Sequence, residues 1–111
     1  KFEEIFAGFE RMLFVGHTHM PCVITDKYET KTSAELNNKY TFPDMCENKV
    51  IINVGSVGQP RDRDNRACYV IVDGSTITWR RLEYEFEKTA AKIDQIAQLD
   101  AALAARLKEG I

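Results

Sequence analysis

The chain has 111 residues, a length that suits one domain with a modest hydrophobic core. Hydrophobic residues make up 44% of the chain and charged residues 29%, which excludes a disordered protein. The formal net charge is −2, so the chain lacks the general basic field that collects duplex nucleic acid or acidic membranes.

Cysteine usage and the apolar runs indicate the compartment. The odd number and wide spacing of Cys22, Cys46 and Cys68 argue against a disulfide framework or a zinc ribbon. No apolar run reaches membrane-spanning length, and the first residues lack a signal-peptide pattern. These features favour a cytoplasmic protein with free thiols and without a membrane partner.

The first predicted element is an amphipathic helix that buries an aromatic stripe. Its apolar positions recur every three or four residues, and they are Phe2, Ile5, Phe6, Phe9 and Leu13. The chain begins at Lys1 rather than at a methionine and enters this pattern at once. We therefore expect it to be part of a longer polypeptide.

Two strands and a polar segment follow the helix. The apolar run Met12–Val15 is typical of a buried strand, and Cys22–Thr25 is predicted as another. Residues 26–49 are polar and poorly periodic, with Tyr40 and Phe42 as their obvious anchors. This segment is predicted as a loop or an irregular hairpin.

The second half of the chain alternates strands with turns and ends in a helical pattern. A second buried strand is predicted at Val50–Val54, and the polar residues 59–66 are predicted as an exposed loop. A hairpin is predicted between residues 68–72 and 76–80, with Asp73-Gly74 as its turn and Trp79 in the core. The helical pattern begins at Phe86, and Gly110 is its stop signal. Its apolar stripe consists of Ile96, Leu99, Leu103 and Leu107.

Both histidines of the chain lie one residue apart, at His17 and His19. In an extended chain, residues i and i+2 face the same side, so the two imidazoles are expected to project together, about 6.5 Å apart at their attachment points. Such a pair can bind one metal ion or each bind one of two ions about 3.5–4 Å apart. The alternative is a pair of hydrogen-bonded loop residues, because two ligands fall short of the three that zinc usually needs.

The motif GHTHMP at residues 16–21 occurs together with NVGSVGQPRD at residues 53–62. In combination they resemble the calcineurin-like metallophosphoesterases, most closely the small bacterial and archaeal phosphodiesterase-type members. The similarity continues from Arg66 to Asp73 and into the strand and helix after Trp79. It covers nearly the whole chain and is weakest over residues 23–49.

The resemblance implies an α/β fold, the C-terminal half of a four-layer α/β/β/α sandwich with mixed sheet strands flanked by helices. Residues 1–111 would form the C-terminal part of one such domain, with its N-terminal half absent. Both histidines of the motif are metal ligands in the family, so His19 would bind the first ion and His17 the second. The cofactors would be two divalent ions (Mn, Fe, Zn or Ni) in the complete enzyme, with partial or no occupancy in this chain.

The chain lacks the family's Asp-x-His, Gly-Asp and Gly-Asn-His motifs, which supply the other ligands and the catalytic histidine. No residue is therefore assigned as catalytic, and the isolated chain is expected to have little or no activity. Asn53, Ser56 and Arg61 are candidates for binding or positioning a substrate phosphate. The alternative is that Asn53 and Ser56 satisfy backbone groups of a turn and that Arg61 pairs with Asp62 or Asp64.

The resemblance favours the C-terminal part of a phosphoesterase that hydrolyses phosphomonoesters or phosphodiesters through metal-activated water. Its substrate would be a phosphorylated small molecule or a nucleotide-type compound rather than duplex nucleic acid. The alternative is a non-catalytic protein-interaction scaffold of the same fold, like the retromer subunit that shares it. An open sheet would favour a second copy of the chain or a companion N-terminal segment as partner.

Overall fold

A computed structural model describes residues 1–42 and 48–111 of the chain. These residues form helices and strands in a mixed order, which confirms the predicted α/β class. The helices are α1 (Phe2–Ala7), α2 (Phe86–Asp94) and α3 (Ala101–Glu109), and the strands are β1 (Met12–Val15), β2 (Cys22–Thr25), β3 (Thr30–Thr32), β4 (Lys39–Thr41), β5 (Val50–Asn53), β6 (Ala67–Asp73) and β7 (Thr76–Leu82). None of the helices in these residues is long and apolar enough to cross a membrane.

The strands form two sheets. The first sheet has the order β1-β5-β2-β3, in which β1 runs parallel to β5 and the other neighbours are antiparallel. The second sheet is antiparallel throughout and has the order β4-β7-β6. Consequently β1 lies at one edge of the first sheet and β6 at one edge of the second.

The hydrophobic core contains residues of both sheets. The apolar run of β5 is buried along its whole length, as expected for a central strand with both faces covered. Ile52 of β5 belongs to the same buried cluster as Ile77 and Trp79 of β7. The Trp79 ring also donates from Nε1 to the backbone oxygen of Asn53 over 2.9 Å. Trp79 is therefore a core residue, as predicted, and it ties the second sheet to the end of β5.

The two C-terminal helices pack against each other and join the sheets through the end of α3. Asp100 caps the start of α3 by accepting a hydrogen bond from the backbone of Ala102 over 2.9 Å. At the other end, the carbonyl oxygen of Gly110 accepts from the Arg63 backbone nitrogen over 2.8 Å. The Asn65 side chain donates to the Lys108 carbonyl oxygen over 3.0 Å. The last turn of α3 thus contacts the polar loop after β5.

The first helix is shorter than predicted. It ends at Ala7, and residues 8–11 connect it to β1. Leu13 is predicted both in the apolar stripe of the helix and in the strand Met12–Val15; it lies in that strand and pairs with Ile51 in the first sheet. Backbone pairing within the sheet therefore overrides the helical periodicity at this position.

The prediction of a loop or an irregular hairpin over residues 26–49 is wrong over residues 26–42. This segment contains β3, which pairs with β2 in the first sheet, and β4, which pairs with β7 in the second. The two strands therefore belong to different sheets and do not pair with each other. Residues 43–47, including Cys46, lie outside the described residues.

Two boundaries in the second half also differ from the prediction. Asp73 pairs with Thr76, so the two-residue turn of the hairpin is Gly74-Ser75 rather than Asp73-Gly74. The C-terminal helical pattern is divided between α2 and α3, and residues 95–100 separate them. Ile96 and Leu99 lie in this connection and are exposed, because the side-chain cap of α3 starts a new helix after them.

Candidate metal centre

The two histidines lie in a short segment that leaves the first sheet at the end of β1, which we call the histidine loop (residues 16–19). Because β1 and β5 run parallel, their carboxyl ends meet at the same edge, where Val15 pairs with Asn53. The segment after β5, which we call the arginine loop (residues 54–66), leaves the sheet at this edge too. The predicted ligands and phosphate-positioning residues all lie in these loops or at the end of β5.

The backbone of the histidine loop is not extended, so the predicted strand-like projection of the two imidazoles is wrong. His17 has a φ of 72° and His19 a φ of 62°, and non-glycine residues seldom adopt this left-handed region. The Thr18 backbone nitrogen donates to the Gly16 oxygen over 2.9 Å, which closes a tight turn around His17. Backbone strain of this kind persists where surrounding contacts enforce it, and it concentrates at functional sites.

Asn53 enforces this conformation. Its side chain is buried, with 5% exposed, and Nδ2 donates to the Gly16 oxygen over 3.1 Å and to Thr18 Oγ1 over 2.8 Å. Its Oδ1 accepts a hydrogen bond from the Gly55 backbone nitrogen over 2.9 Å. Both hydrogens of the side-chain amide are therefore used within the protein, and they fasten the histidine loop to the end of β5.

His19 is oriented through its Nδ1 atom, which lies 2.8 Å from the carbonyl oxygen of Gln59. Because a carbonyl oxygen can only accept, this contact assigns the proton to Nδ1 and leaves the lone pair of the neutral ring on Nε2. Metal-binding histidines are commonly held in this way, with one ring nitrogen bonded to a carbonyl or carboxylate and the other free for the ion. The half-buried His19 ring is thus prepared to bind a metal through Nε2.

The arginine loop holds the carbonyl group that orients His19. Ser56 Oγ accepts a hydrogen bond from the Gln59 backbone nitrogen over 2.9 Å. The Ser56 carbonyl oxygen accepts from the Cys68 backbone nitrogen over 2.9 Å, which anchors the turn to β6. The Arg61 backbone nitrogen donates to the His19 carbonyl oxygen over 3.3 Å. The loop therefore contacts His19 through both its ring and its backbone.

His17 differs from His19 in its surroundings. Its side chain is exposed, whereas the His19 ring is half-buried and oriented by a carbonyl oxygen. The exposed ring pays little desolvation cost and is open to a ligand from solvent. The two histidines therefore offer one oriented and one exposed imidazole on the same short loop.

The carboxylates of the arginine loop pair with arginines other than Arg61. Asp62 pairs with Arg81, whose side chain is only 7% exposed. Asp64 accepts two hydrogen bonds from the Arg66 side chain, over 3.0 and 2.7 Å, and also lies 3.7 Å from Arg81. The alternative interpretation, in which Arg61 pairs with Asp62 or Asp64, is therefore wrong.

The arginine loop is also less exposed than predicted. Pro60 is fully buried, and the contact between Asp62 and Arg81 covers part of the loop. The side-chain hydrogen bonds from Arg66 lower the pKa of Asp64, so this carboxylate stays ionised well below neutral pH. Fixed charges of both signs thus hold a segment that its polarity alone made look like a solvated loop.

The thiols of Cys22 and Cys68 are poor candidates for metal ligands. Burial raises the pKa of both thiols, so they stay protonated at neutral pH, whereas the thiolate is the form that binds metals. Both are free rather than disulfide-bonded, as the cysteine spacing predicted for them. Cys46 lies outside the described residues.

The donor atoms present fit one part of a metal centre. Imidazole nitrogens suit Zn, Fe and Ni, whereas Mn prefers oxygen ligands, and His19 already has the carbonyl contact that orients a ligand. A catalytic zinc site usually has three protein ligands. Within residues 1–42 and 48–111, no group of three or more His, Cys, Asp or Glu side chains comes together to hold an ion. The described residues could therefore supply only part of a ligand set.

Sequence reasoning missed the parts of this site that act through backbone atoms. The Gln59 carbonyl oxygen orients His19, yet a backbone acceptor leaves no signal in residue type. Arg81 lies on β7, far along the chain from the loop that it stabilises, so nothing in the local pattern indicated their pairing. A glycine-rich turn with serine and asparagine was the available signal, and it correctly indicated a hydrogen-bonded turn at Asn53 and Ser56.

The known proteins that are similar to this chain include one solved structure and one protein of uncharacterized function. The crystal structure of a metallophosphoesterase from Sphaerobacter thermophilus matches 96% of the chain with a TM-score of 0.78 and 35% sequence identity, and the chain covers 44% of it. An uncharacterized protein from Methanocaldococcus jannaschii is 37% identical over 89 residues, which are 74% of this chain and 32% of that protein. No family model matches the chain.

The chain has the fold of part of a metallophosphoesterase, which confirms the fold class that the resemblance implied. At the level of structure, this similarity supports the metallophosphoesterase superfamily, in which divalent metal ions are used. The chain spans less than half the length of either similar protein.

Proposed function

We propose that the chain is part of a metal-dependent phosphoesterase and contributes His17 and His19 to a centre of two divalent ions. The observation that carries this proposal is the contact between His19 Nδ1 and the Gln59 carbonyl oxygen, which leaves Nε2 free in the manner of a metal ligand. The structural similarity to a metallophosphoesterase supports the reaction class, the hydrolysis of phosphomonoesters or phosphodiesters.

In this proposal each residue of the chain has a limited task. When bound, the two ions would supply Lewis-acid stabilisation of the phosphate and activation of the attacking water. Asn53 and Ser56 hold the two loops in place, since their side chains are bonded to Gly16, Thr18 and the Gln59 backbone. Arg61 has no carboxylate partner among the described ion pairs, so we assign it the contact with the substrate phosphate.

The remaining metal ligands would come from polypeptide outside these residues that continues the first sheet. The free edge of β1 supports this proposal, because a strand added there in parallel would end beside the histidine loop. Side chains that follow such a strand would then reach the same place as His17 and His19. The substrate remains proposed at the level of a phosphorylated small molecule or nucleotide-type compound, and the cytoplasmic location stays a prediction.

A non-catalytic interaction scaffold is the second candidate. It is favoured by the apolar groove of about 360 Å³ between the sheet edges, lined by Phe14, Val57 and Tyr69 among others. A scaffold needs this surface and does not need oriented metal ligands. Metal binding at the histidine loop therefore discriminates between the two functions.

The test of the metal proposal is a titration of the chain with Zn²⁺. Calorimetry measures the affinity, and the ring ¹⁵N resonances of both histidines show which nitrogen binds the ion. We expect weak binding, because two ligands leave most of the coordination sphere to water, and we expect a shift of His19 Nε2 rather than Nδ1. His19→Ala should abolish the binding and His17→Ala should weaken it at least tenfold. Asp94→Ala, a change at an exposed carboxylate on α2, is the matched control.

Unchanged Zn²⁺ binding in both histidine variants would refute this assignment of the ligands. The same preparation also tests the expected inactivity of the isolated chain. With Mn²⁺ present, we expect no turnover of bis-p-nitrophenyl phosphate above the metal-only rate. Clear turnover that disappears in His19→Ala would show that the described residues suffice for catalysis, contrary to the proposal that further ligands are needed.

A further inference from the structure

A cavity of about 270 Å³ lies directly beside the histidine loop. Its walls are Met20 and Pro21, which follow His19, residues 32–34 at the end of β3, and residues 61–63 of the arginine loop. The hydrogen bond from the Arg61 backbone nitrogen to the His19 carbonyl oxygen, over 3.3 Å, joins the cavity wall to the histidine loop. A molecule in this cavity would therefore be a close neighbour of the candidate metal ligands.

Arg61 gives the cavity an uncompensated cation. The ion pairs of the described residues engage Arg66 and Arg81 with the loop carboxylates, and none of them engages Arg61. The Nε atom of Arg61 is buried without a hydrogen-bond acceptor. A guanidinium held in this way gains more from a bound anion than a fully solvated one does, because it has already lost part of its hydration.

The other charged groups near the cavity leave this positive charge in excess. Asp62 also lines the cavity; its Oδ2 is paired with Arg81, while its Oδ1 is buried without a hydrogen-bond partner. Arg63 is an additional cation on the wall. Glu35 is exposed and accepts hydrogen bonds from the backbone and hydroxyl of Thr32, over 2.7 and 3.0 Å. The chemistry of the cavity therefore suits an anion rather than a cation.

The cavity also has an apolar wall, which a phosphate ion alone would not use. Met20, Pro21 and Ala34 present carbon and sulfur atoms to it. Its volume lies below the range of roughly 300–1,000 Å³ that holds drug-sized ligands. It is therefore large enough for a single ring or a short chain and too small for a polymer or a dinucleotide.

We propose that this cavity binds a phosphate ester with a compact organic group. In the bound state, the outer nitrogens of Arg61 bind a phosphate oxygen, and the organic group lies against Met20 and Pro21. This inference rests on the proposed function, because it names the substrate of that reaction as a small aryl or alkyl phosphate. The binding itself depends on Arg61 and the cavity, not on a bound metal.

In the test, the metal-free chain is titrated separately with phenyl phosphate, inorganic phosphate and benzyl alcohol. The NMR signals of the Arg61 Nε–H and Met20 methyl groups report the binding. Phenyl phosphate is expected to shift both signals, inorganic phosphate only the arginine signal, and benzyl alcohol neither at the same concentration. Arg61→Gln should weaken the binding of phenyl phosphate at least tenfold. Arg80→Gln, at an exposed arginine on β7 outside the cavity, should leave it unchanged.

A steric variant tests the position of the organic group independently. Ala34→Leu fills the cavity from an exposed turn, so it should weaken phenyl phosphate at least fivefold and leave inorganic phosphate unchanged. Equal binding of phenyl phosphate by wild type and Arg61→Gln, or shifts at residues remote from the cavity, would overturn the proposal. Since no metal is present, failure here leaves the histidine proposal standing, and loss of Zn²⁺ binding alone leaves the cavity proposal standing.

Discussion

Asn53 connects the backbone of two loops, although the sequence suggested a residue that faces substrate. Its amide donates to both sides of the turn that contains His17, and its oxygen accepts from the next loop. The left-handed φ of 72° at His17 has an energetic cost that only such contacts can offset. The position of His17, a candidate metal ligand, therefore depends on a side chain that need not contact a metal ion or a substrate.

Asn53→Asp should lower the free energy of unfolding by about 2–4 kcal/mol, because it removes two buried donors and points a carboxylate oxygen at the Gly16 carbonyl. Urea denaturation followed by circular dichroism measures the change. Asn65→Asp is the matched control, because Asn65 makes a single exposed hydrogen bond to Lys108, and about 1 kcal/mol or less is expected for it. Equal losses in the two variants would show that Asn53 does not fasten the loop.

At the scale of single residues, the sequence predicts which side chains share a loop and does not predict the geometry of that loop. The spacing of His17 and His19 indicates two imidazoles on one short segment. It does not indicate the left-handed backbone, since histidine has no conformational preference that requires it. That conformation comes from Asn53 and from the Gln59 carbonyl, which reach the loop from a distant part of the chain.

Among the secondary-structure elements, α3 contacts the arginine loop of the candidate site from outside the two sheets. Its last turn accepts hydrogen bonds from Arg63 and Asn65, and the same loop contacts His19 through Gln59 and Arg61. Gly110 makes this docking possible, because it has a φ of 69° and a Cβ there would lie 2.9 Å from the Asp64 backbone nitrogen. The end of the helix therefore acts as a support for the arginine loop.

Gly110→Ala should destabilise the protein more than Gly74→Ala, although both glycines have a positive φ. Gly74 has open space around its Cβ position, so only the left-handed backbone cost of about 1–2 kcal/mol applies. At Gly110 the contact with Asp64 adds at least about 1 kcal/mol, because backbone must move. Urea denaturation gives the two losses, and amide exchange should rise at Arg63 in Gly110→Ala alone. Equal losses with unchanged exchange would contradict the support by α3.

The sequence predicts elements well where one physical signal dominates and poorly where two compete. The unbroken apolar run of β5 has no competing interpretation and is a buried strand. Residues 26–49 carry no strong period, and their short strands exist because β2 and β7 offer edges to pair with. The stripe through Ile96 and Leu99 fits one helix, but the cap at Asp100 divides it. Strand pairing and helix capping both stabilise structure, and hydrophobic periodicity reports neither of them.

For the molecule as a whole, extension and open edges are the dominant features. The radius of gyration of 16.3 Å exceeds the value of about 13 Å expected for a compact domain of this length. The helix pair packs chiefly on itself and contributes little cover to the sheets. β1 and β6 both end their sheets, and the apolar groove between them contains Phe14, Val57, Tyr69 and Val72, with Val57 67% exposed.

Open sheet edges next to exposed apolar side chains favour association. Another strand would pair the free backbone groups and would bury the apolar surface. The isolated chain should therefore self-associate as its concentration rises, in a range that analytical ultracentrifugation covers. The double variant Tyr69→Lys with Val72→Lys should stay monomeric, since charges at an edge oppose pairing. It should remain as stable as wild type, because both side chains are exposed in the monomer. Leu82→Lys, at an exposed position on β7 outside the groove, should associate like wild type. A wild-type chain that is monomeric at every concentration would show that this surface is stable in water without a partner. The open edge of β1 would then no longer support the proposal that further polypeptide pairs with it beside the histidine loop.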